Sequence, residues 1–248
     1  MLQLLDVNKS FLNGACPVIK QMNLHLNPGD FCVVIGSNGS GKSTLMKLIS
    51  GEYIPTQGRI MMQGKSITSH DVASVIQDVN KGTIVEMTLL ENIAFSLSRV
   101  KKRGFSLYSR QKNTVIQQLK ALNIGLEQYI NTPLRHLSGG QRQMVATMMA
   151  LISQPKLLLL DEHTSAIDPS MQKTLMAYTQ RSIQQQNLTS LMITHHLDDA
   201  IQYGNRLIML HKGAIVLDVS HQEKAALSVT MLLDLFHYHE HLDLVGRV

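Results

Sequence analysis

The sequence predicts an α/β fold: a layered core with a small antiparallel sheet beside it and a helical subdomain inserted into it. Three observations carry this. Phe31–Ile35 is a short apolar run followed by a Gly/Ser-rich loop and a helical segment. From about Asp78 to Ala150 the chain reads mostly as helix and loop. From Leu157 onward, short apolar strands and helices alternate again.

In order along the chain, Leu2–Val7 and Val18–Leu26 alternate apolar and polar residues as strands of the small sheet do. Pro28-Gly29-Asp30 is a turn. Phe31–Ile35 is a strand buried on both faces, and a helix runs from about Gly41 to Ser50. Gly58–Gln63 is a further strand. In the middle, Thr114–Leu122 has helical spacing and Gly140–Ile152 is a strong helix former. Lys101-Lys102-Arg103-Gly104, with Arg99, Arg110 and Lys112, reads as a basic, loop-like stretch, either a solvated loop or a contact for anionic head groups. Then follow the strand Leu157–Leu160, the helix Pro169–Gln185, the strand Ser190–Ile193, the helix His196–Tyr203 and the strands Arg206–Leu210 and Ala214–Val219. This divides a single 248-residue domain into a core of about 1–77 and 151–220, a helical subdomain of about 78–150 and an extension of about 221–248. No internal repeat or low-complexity segment is visible.

Composition narrows the function. With 44% apolar and 17% charged residues, the chain can bury a core and is not a disordered one. The formal charge of +5 favours an anionic partner. Tryptophan is absent and aromatics make up only 4%, which argues against a stacking platform for single-stranded nucleic acid. Two cysteines, Cys16 and Cys32, do not make a disulfide framework and read as core fillers in a reducing compartment. Met1–Asp6 lacks the basic region and cleavage site of a signal peptide. No apolar run approaches the roughly 18 residues that span a bilayer, so the chain is expected not to cross one itself.

Gly36-Ser37-Asn38-Gly39-Ser40-Gly41-Lys42-Ser43 matches G-x-x-x-x-G-K-[ST] between a strand and a helix, with Thr44 next along. Glycines let successive backbone N–H groups converge on phosphate oxygens, and the helix N-terminus adds unpaired donors. Lys42 can reach the β- and γ-phosphates, and the Ser43 hydroxyl can ligate Mg²⁺. The motif indicates a P-loop NTPase core. Leu157–Leu160 then ends in Asp161 and Glu162, two carboxylates at the C-terminal end of a buried strand, where open α/β sheets bind ligands. Asp161 can hold Mg²⁺, which leaves Glu162 to polarise an attacking water.

Leu137-Ser138-Gly139-Gly140-Gln141 opens a helix, with Ser138 as its N-cap residue and two glycines that allow close backbone approach. On this pentapeptide, placed between the cradle and the acidic strand, the chain resembles the nucleotide-binding subunit of an ABC (ATP-binding cassette) transporter over roughly residues 1–220. The resemblance implies ATP and Mg²⁺ as ligands and a head-to-tail homodimer. Each ATP then lies between one subunit's cradle and Ser138, Gly139, Gly140 and Gln141 of the other. It further implies that Phe11 stacks on adenine and that Gln77 senses Mg²⁺ and the γ-phosphate. Asp168 matches the segment that crosses to the partner, and His195 the histidine that contacts the γ-phosphate. Three positions depart from the family pattern: His163 where many relatives have proline, Ile167 for leucine, and His196 for the acidic residue that commonly follows the histidine.

The stretches Leu157–Pro169 and Tyr203–Ser220 resemble a branch of stand-alone importer ATPases. That resemblance implies a peripheral position on the cytoplasmic side of the membrane, an integral permease as partner and an extracytoplasmic binding protein in the same system. It implies no nucleic acid, and it raises amino-acid uptake as one cargo class. An exporter subunit, or a non-transport ATPase such as an iron–sulfur assembly factor, remains an alternative. His237, His239 and His241 alternate near the C-terminus. On a helix, His237 and His241 would share a face suited to Zn²⁺; the plainer expectation is a polar tail.

Overall fold

Pro28-Gly29 turns the second long strand of the chain into its most buried one, and the phosphate cradle hangs from the end of that strand. The computed structural model describes residues 1–14, 16–68, 71–78, 82–101, 108–122, 124–165 and 167–245. The chain divides into two compact units, Met1–Val72 with Thr189–Val248, and Ala73–Leu188.

In the first unit, β1 (Leu2–Phe11), β2 (Cys16–Leu26), β4 (Gln57–Met62) and β5 (Lys65–Ser66) form an antiparallel sheet in the order β2-β1-β4-β5. Leu2, Leu4, Val7, Ile19, Leu24 and Leu26 turn to its buried face, the alternation visible in the sequence. A second sheet carries β10 (Ala214–Ser220), β9 (Arg206–His211), β3 (Phe31–Gly36) and β8 (Thr189–Ile193) in that order. β3 lies parallel to β8 and β9, with Val34 opposite Ile193 and Ile208. Every residue of β3 is buried, as its unbroken apolar run requires. Cys32 is among them, and burial pushes its thiol pKa far above the ordinary value, so it is an inert core filler. Cys16, by contrast, is exposed at the start of β2.

The helices of this unit are α1 (Lys42–Ile49), α6 (Leu197–Gln202), α7 (His221–Ala225) and α8 (Val229–Val245). Buried Lys224 of α7 donates from Nζ to the carbonyls of Ile201, at 2.6 Å, and Tyr203, at 2.9 Å, closing the C-terminal end of α6. The segment read as a polar tail is helical, and His237 and His241 on it are exposed. Leu232 is fully buried, and the His239 ring lies 5.2 Å from that of His211 on β9. Among the described residues, no group of three metal-ligating side chains is gathered.

The second unit holds β6 (Val72–Val75) and β7 (Leu157–Asp161) as neighbours, with α2 (Leu89–Lys101), α3 (Tyr108–Ala121), α4 (Gly139–Ile152) and α5 (Pro169–Gln186). Its core joins Leu90 and Ile93 of α2, Leu119 of α3, Met144 and Met148 of α4 and Leu175 of α5. Methionines help fill this core, as suits so adaptable a side chain. Ser96 Oγ donates to Met149 O at 2.8 Å and ties α2 to α4. The basic stretch read as a loop is helical at both ends: Arg99 and Lys101 fall in α2, and Arg110 and Lys112 in α3. Residues 102–104 lie outside the described residues. β6 is a strand that the sequence, read as helix and loop from Asp78, did not announce.

His163 is buried at 2% exposure, and its Nε2 has no hydrogen-bond partner among the described residues. Burial alone lowers its pKa from 6.5 to about 4, because a charge there would be desolvated. The fold therefore holds a neutral imidazole that the unfolded chain would protonate. Its contribution to stability is intact above pH 6.5 and is lost as the pH falls towards 4. Between pH 7 and 5 that loss is about 2 kcal/mol. Urea unfolding at both pH values should show His163→Leu losing less stability than the wild type over this interval. Equal losses would contradict a buried neutral histidine.

Candidate nucleotide site

The cradle begins where β3 ends. A Cβ at Gly36 would lie 2.4 Å from Leu210 O of the neighbouring strand and 2.6 Å from Ser40 Oγ, so only glycine lets the loop leave the sheet here. Gly41, at φ 107°, is the N-cap residue of α1 and turns the chain into the helix with no side chain in the way. Lys42, 6% exposed, donates from Nζ to Gly36 O at 2.8 Å and to Ser37 O at 3.0 Å. Its ammonium is thus held over the inside of the loop. Ser43 and Thr44 follow in the first turn of α1. The N-terminal N–H groups of α1 and the lysine together make a cationic cup suited to phosphate.

One neighbour braces the cup, and another lies at the same end of the sheet. Gly213, in the turn between β9 and β10, donates from N to Ser40 O at 2.9 Å and accepts from Lys20 N at 3.0 Å. His195 follows β8, which runs parallel to β3 with Ile193 opposite Val34. Two residues on, His195 and Gly36 therefore leave the same edge of the sheet, and His195 is exposed there. Phe11 closes β1, half-buried. The first unit thus contains Phe11, the whole Gly36–Thr44 loop and His195.

The second unit contains the other residues. Ser138 caps α4 reciprocally with Gln141: Ser138 Oγ accepts from Gln141 N at 3.2 Å, and Gln141 Oε1 accepts from Ser138 N at 2.9 Å. Accepting leaves the Ser138 hydroxyl hydrogen available to donate. A Cβ at Gly140 would lie 2.5 Å from Met171 Sδ and 3.1 Å from Ile167 Cγ2, so the start of α4 abuts the start of α5. Asp168 is the N-cap residue of α5, its Oδ1 accepting from Ser170 N at 3.1 Å and Met171 N at 3.0 Å. That gives the carboxylate a structural use that the family resemblance did not raise. Gln77 follows β6 and is exposed, while the preceding carbonyl, Ile76 O, receives Gln143 Nε2 at 3.5 Å.

Asp161 ends β7, and Glu162 follows with a left-handed backbone, φ 48°. A side chain rarely holds that conformation without support. Support comes from Ser165, whose N and Oγ both donate to Glu162 O at 3.0 Å. Ser165 is a residue that the sequence reading passed over, although a serine three positions on is a turn signal. Gly213 was also missed, although Lys212-Gly213 between two strands is a hairpin signal. The oxygen donors Ser43, Gln77 and Asp161 are of the hard kind that Mg²⁺ takes, and Mg²⁺ needs few protein ligands because it keeps waters and substrate phosphates.

Residues 19–165 match the family model described as ABC transporter. The tyrosine transport ATP-binding protein of Clostridioides difficile is 38% identical over 96% of this chain and 99% of its own length. The energy-coupling factor transporter ATP-binding protein EcfA1 of Halalkalibacterium halodurans is 33% identical over 87% of this chain and 77% of its own. Among solved structures, the ATP-binding cassette MJ0796, described as a dimer in a post-hydrolysis state with ADP and Pi, superposes with a TM-score of 0.77 at 27% identity, covering 89% of this chain and 98% of that one. A cradle built on a buried strand, a capped LSGGQ helix and these likenesses agree: the chain belongs to the ABC transporter family, as one of its ATP-binding, ATP-hydrolysing subunits.

Proposed function

We propose that this subunit drives uptake of a small solute, an amino acid, through a separate integral permease on whose cytoplasmic side it sits. The observation that carries the motor reading is the cup of Lys42 over the Gly36 and Ser37 carbonyls at the start of α1. The cargo reading is supported by the likeness to a protein named for tyrosine transport. No described helix is long and apolar enough to cross a membrane, which is consistent with a permease on another chain. An extracytoplasmic binding protein would deliver the solute.

In this reading ATP lays its phosphates along Gly36, Ser37, Asn38, Gly39, Ser40, Gly41, Lys42, Ser43 and Thr44, with its adenine on Phe11. Lys42 exchanges its loop carbonyls for β- and γ-phosphate oxygens. Mg²⁺, held by Ser43, Gln77 and Asp161, would offset the charge of the phosphate oxygens. Glu162 accepts the proton of the attacking water as its oxygen bonds to the γ-phosphorus and the bond to ADP breaks. His195 and Gln77 hold the γ-phosphate and report its presence. A second copy, docked head to tail, brings Ser138, Gly139, Gly140 and Gln141, and the Ser138 hydroxyl donates to the same phosphate. Asp168 sits in the segment that meets that copy. ATP thereby bridges two chains, and hydrolysis removes the bridge.

Two results are expected. Glu162→Gln keeps the shape of the carboxylate but cannot take the proton. Its phosphate release should fall by at least the roughly 10²–10⁴-fold typical of a lost general base, and Mg-ATP should trap it as a dimer on size-exclusion chromatography. Wild-type turnover in this variant would overturn the role of Glu162, and an inactive but monomeric variant would overturn closure by ATP alone. For the cargo, deletion of the gene should abolish uptake of labelled tyrosine by cells of the source organism. The wild-type gene should restore it and Lys42→Ala should not. Undiminished tyrosine uptake in the deletion strain would remove this amino acid from the account.

A further inference from the structure

Phe11 does not stand alone at the end of β1. Tyr53, just past α1, sets its ring edge-on to Phe11, with centroids 5.4 Å apart and planes at 74°. Two cations lie against this pair. Lys9 Nζ is 5.0 Å from the Phe11 centroid and 5.4 Å from that of Tyr53, and Lys47 Nζ is 5.2 Å from that of Tyr53. The backbones beneath are stitched together: Tyr53 N donates to Lys47 O at 2.9 Å, Thr56 N to Asn8 O at 2.8 Å and Ser10 N to Thr56 Oγ1 at 3.0 Å. Lys9 Nζ also donates to Ile54 O at 2.9 Å, joining the two segments through a side chain.

Core packing does not explain the cluster. Both rings are only half-buried, and the adjoining Leu12 and Ile54 are 81% and 80% exposed. The aromatic pair and its two ammonium groups form an ordered surface platform in the unit that holds the phosphate cradle, its rings held by edge-on and cation–π contacts. A ring at a strand end would otherwise sample several rotamers, and each would have to be frozen when a base arrived. An edge-on neighbour and flanking cations remove that freedom beforehand.

We propose that Tyr53 is a positioning residue for the nucleotide base: it holds Phe11 at the pitch that receives adenine, and Lys9 and Lys47 hold Tyr53. The proposal rests on the reading of Phe11 as the stacking ring, and the experiment separates the two. ATP and inorganic tripolyphosphate, which has the phosphates but no base, are titrated calorimetrically into the wild type and into Phe11→Ala, Tyr53→Ala, Tyr53→Leu and Tyr53→Phe. Tyr53→Ala and Tyr53→Leu should each weaken ATP roughly two- to tenfold, Tyr53→Phe should keep wild-type affinity, and tripolyphosphate should bind all of them alike. Because the chain has no tryptophan, Phe11→Trp supplies a single fluorophore at the platform. Its emission should shift on adding ATP, and the shift should shrink when Tyr53→Ala is added. Wild-type ATP affinity in Tyr53→Ala, with weakened affinity in Phe11→Ala, would overturn the role of Tyr53 and leave the stacking ring standing. Wild-type affinity in both would overturn the two together. Equal weakening of tripolyphosphate and ATP would assign Tyr53 to the shape of the cradle and overturn the proposal.

Discussion

The phosphate cradle of the first unit depends on one close approach, that of the Gly36 backbone to the Leu210 carbonyl. There the most buried strand of the sheet gives way to the phosphate loop without room for a single extra carbon. The approach is possible because β3 lies parallel to β9, with Gly36 opposite Leu210, and because both strands are packed too tightly to shift. From that fixed point the loop closes over Lys42, and α1 begins with its N-terminal N–H groups at the loop. A buried sheet edge thus sets the position of a cationic cup to within the tolerance that phosphate recognition needs.

The second unit follows the same logic with the opposite charge. β7 is apolar for four residues and then ends in Asp161 and Glu162, so the interior of the strand fixes where the carboxylates emerge. Glu162 needs more than the strand. Its left-handed backbone is held by two hydrogen bonds from Ser165, and the turn they make leads past His163 and Thr164 towards the capped start of α5. Buried His163 makes that turn part of the core, at the position where the resemblance leads one to expect a proline. Stiffness that proline provides through its ring is here provided by packing.

What was legible in the sequence and what was not divides along physical lines. β3 and β7 were legible because strands buried on both faces leave an uninterrupted apolar run. The cap of α4 was legible because Ser138 precedes a helix-forming segment, and the Gln141 three residues later completes the reciprocal pair. β6 was hidden because it has four residues and only Val75 fully buried, too little for a period to show. The helical form of α8 was hidden because its histidines and acids are spread around an otherwise apolar segment, with no clean stripe. The left-handed Glu162 had no glycine to announce it, and the pairing of Phe11 with Tyr53 is made by the tertiary fold, which no local pattern encodes.

The fit of Gly36 against the sheet, and not the lysine alone, makes the phosphate site. Gly36→Ala tests it most directly, with ATP affinity measured by calorimetry beside a thermal melt of the same sample. The expected result is a folded protein, melting cooperatively, whose ATP affinity is at least about tenfold weaker because the added carbon pushes the loop off the Leu210 carbonyl. Wild-type ATP affinity in a folded Gly36→Ala chain would contradict it.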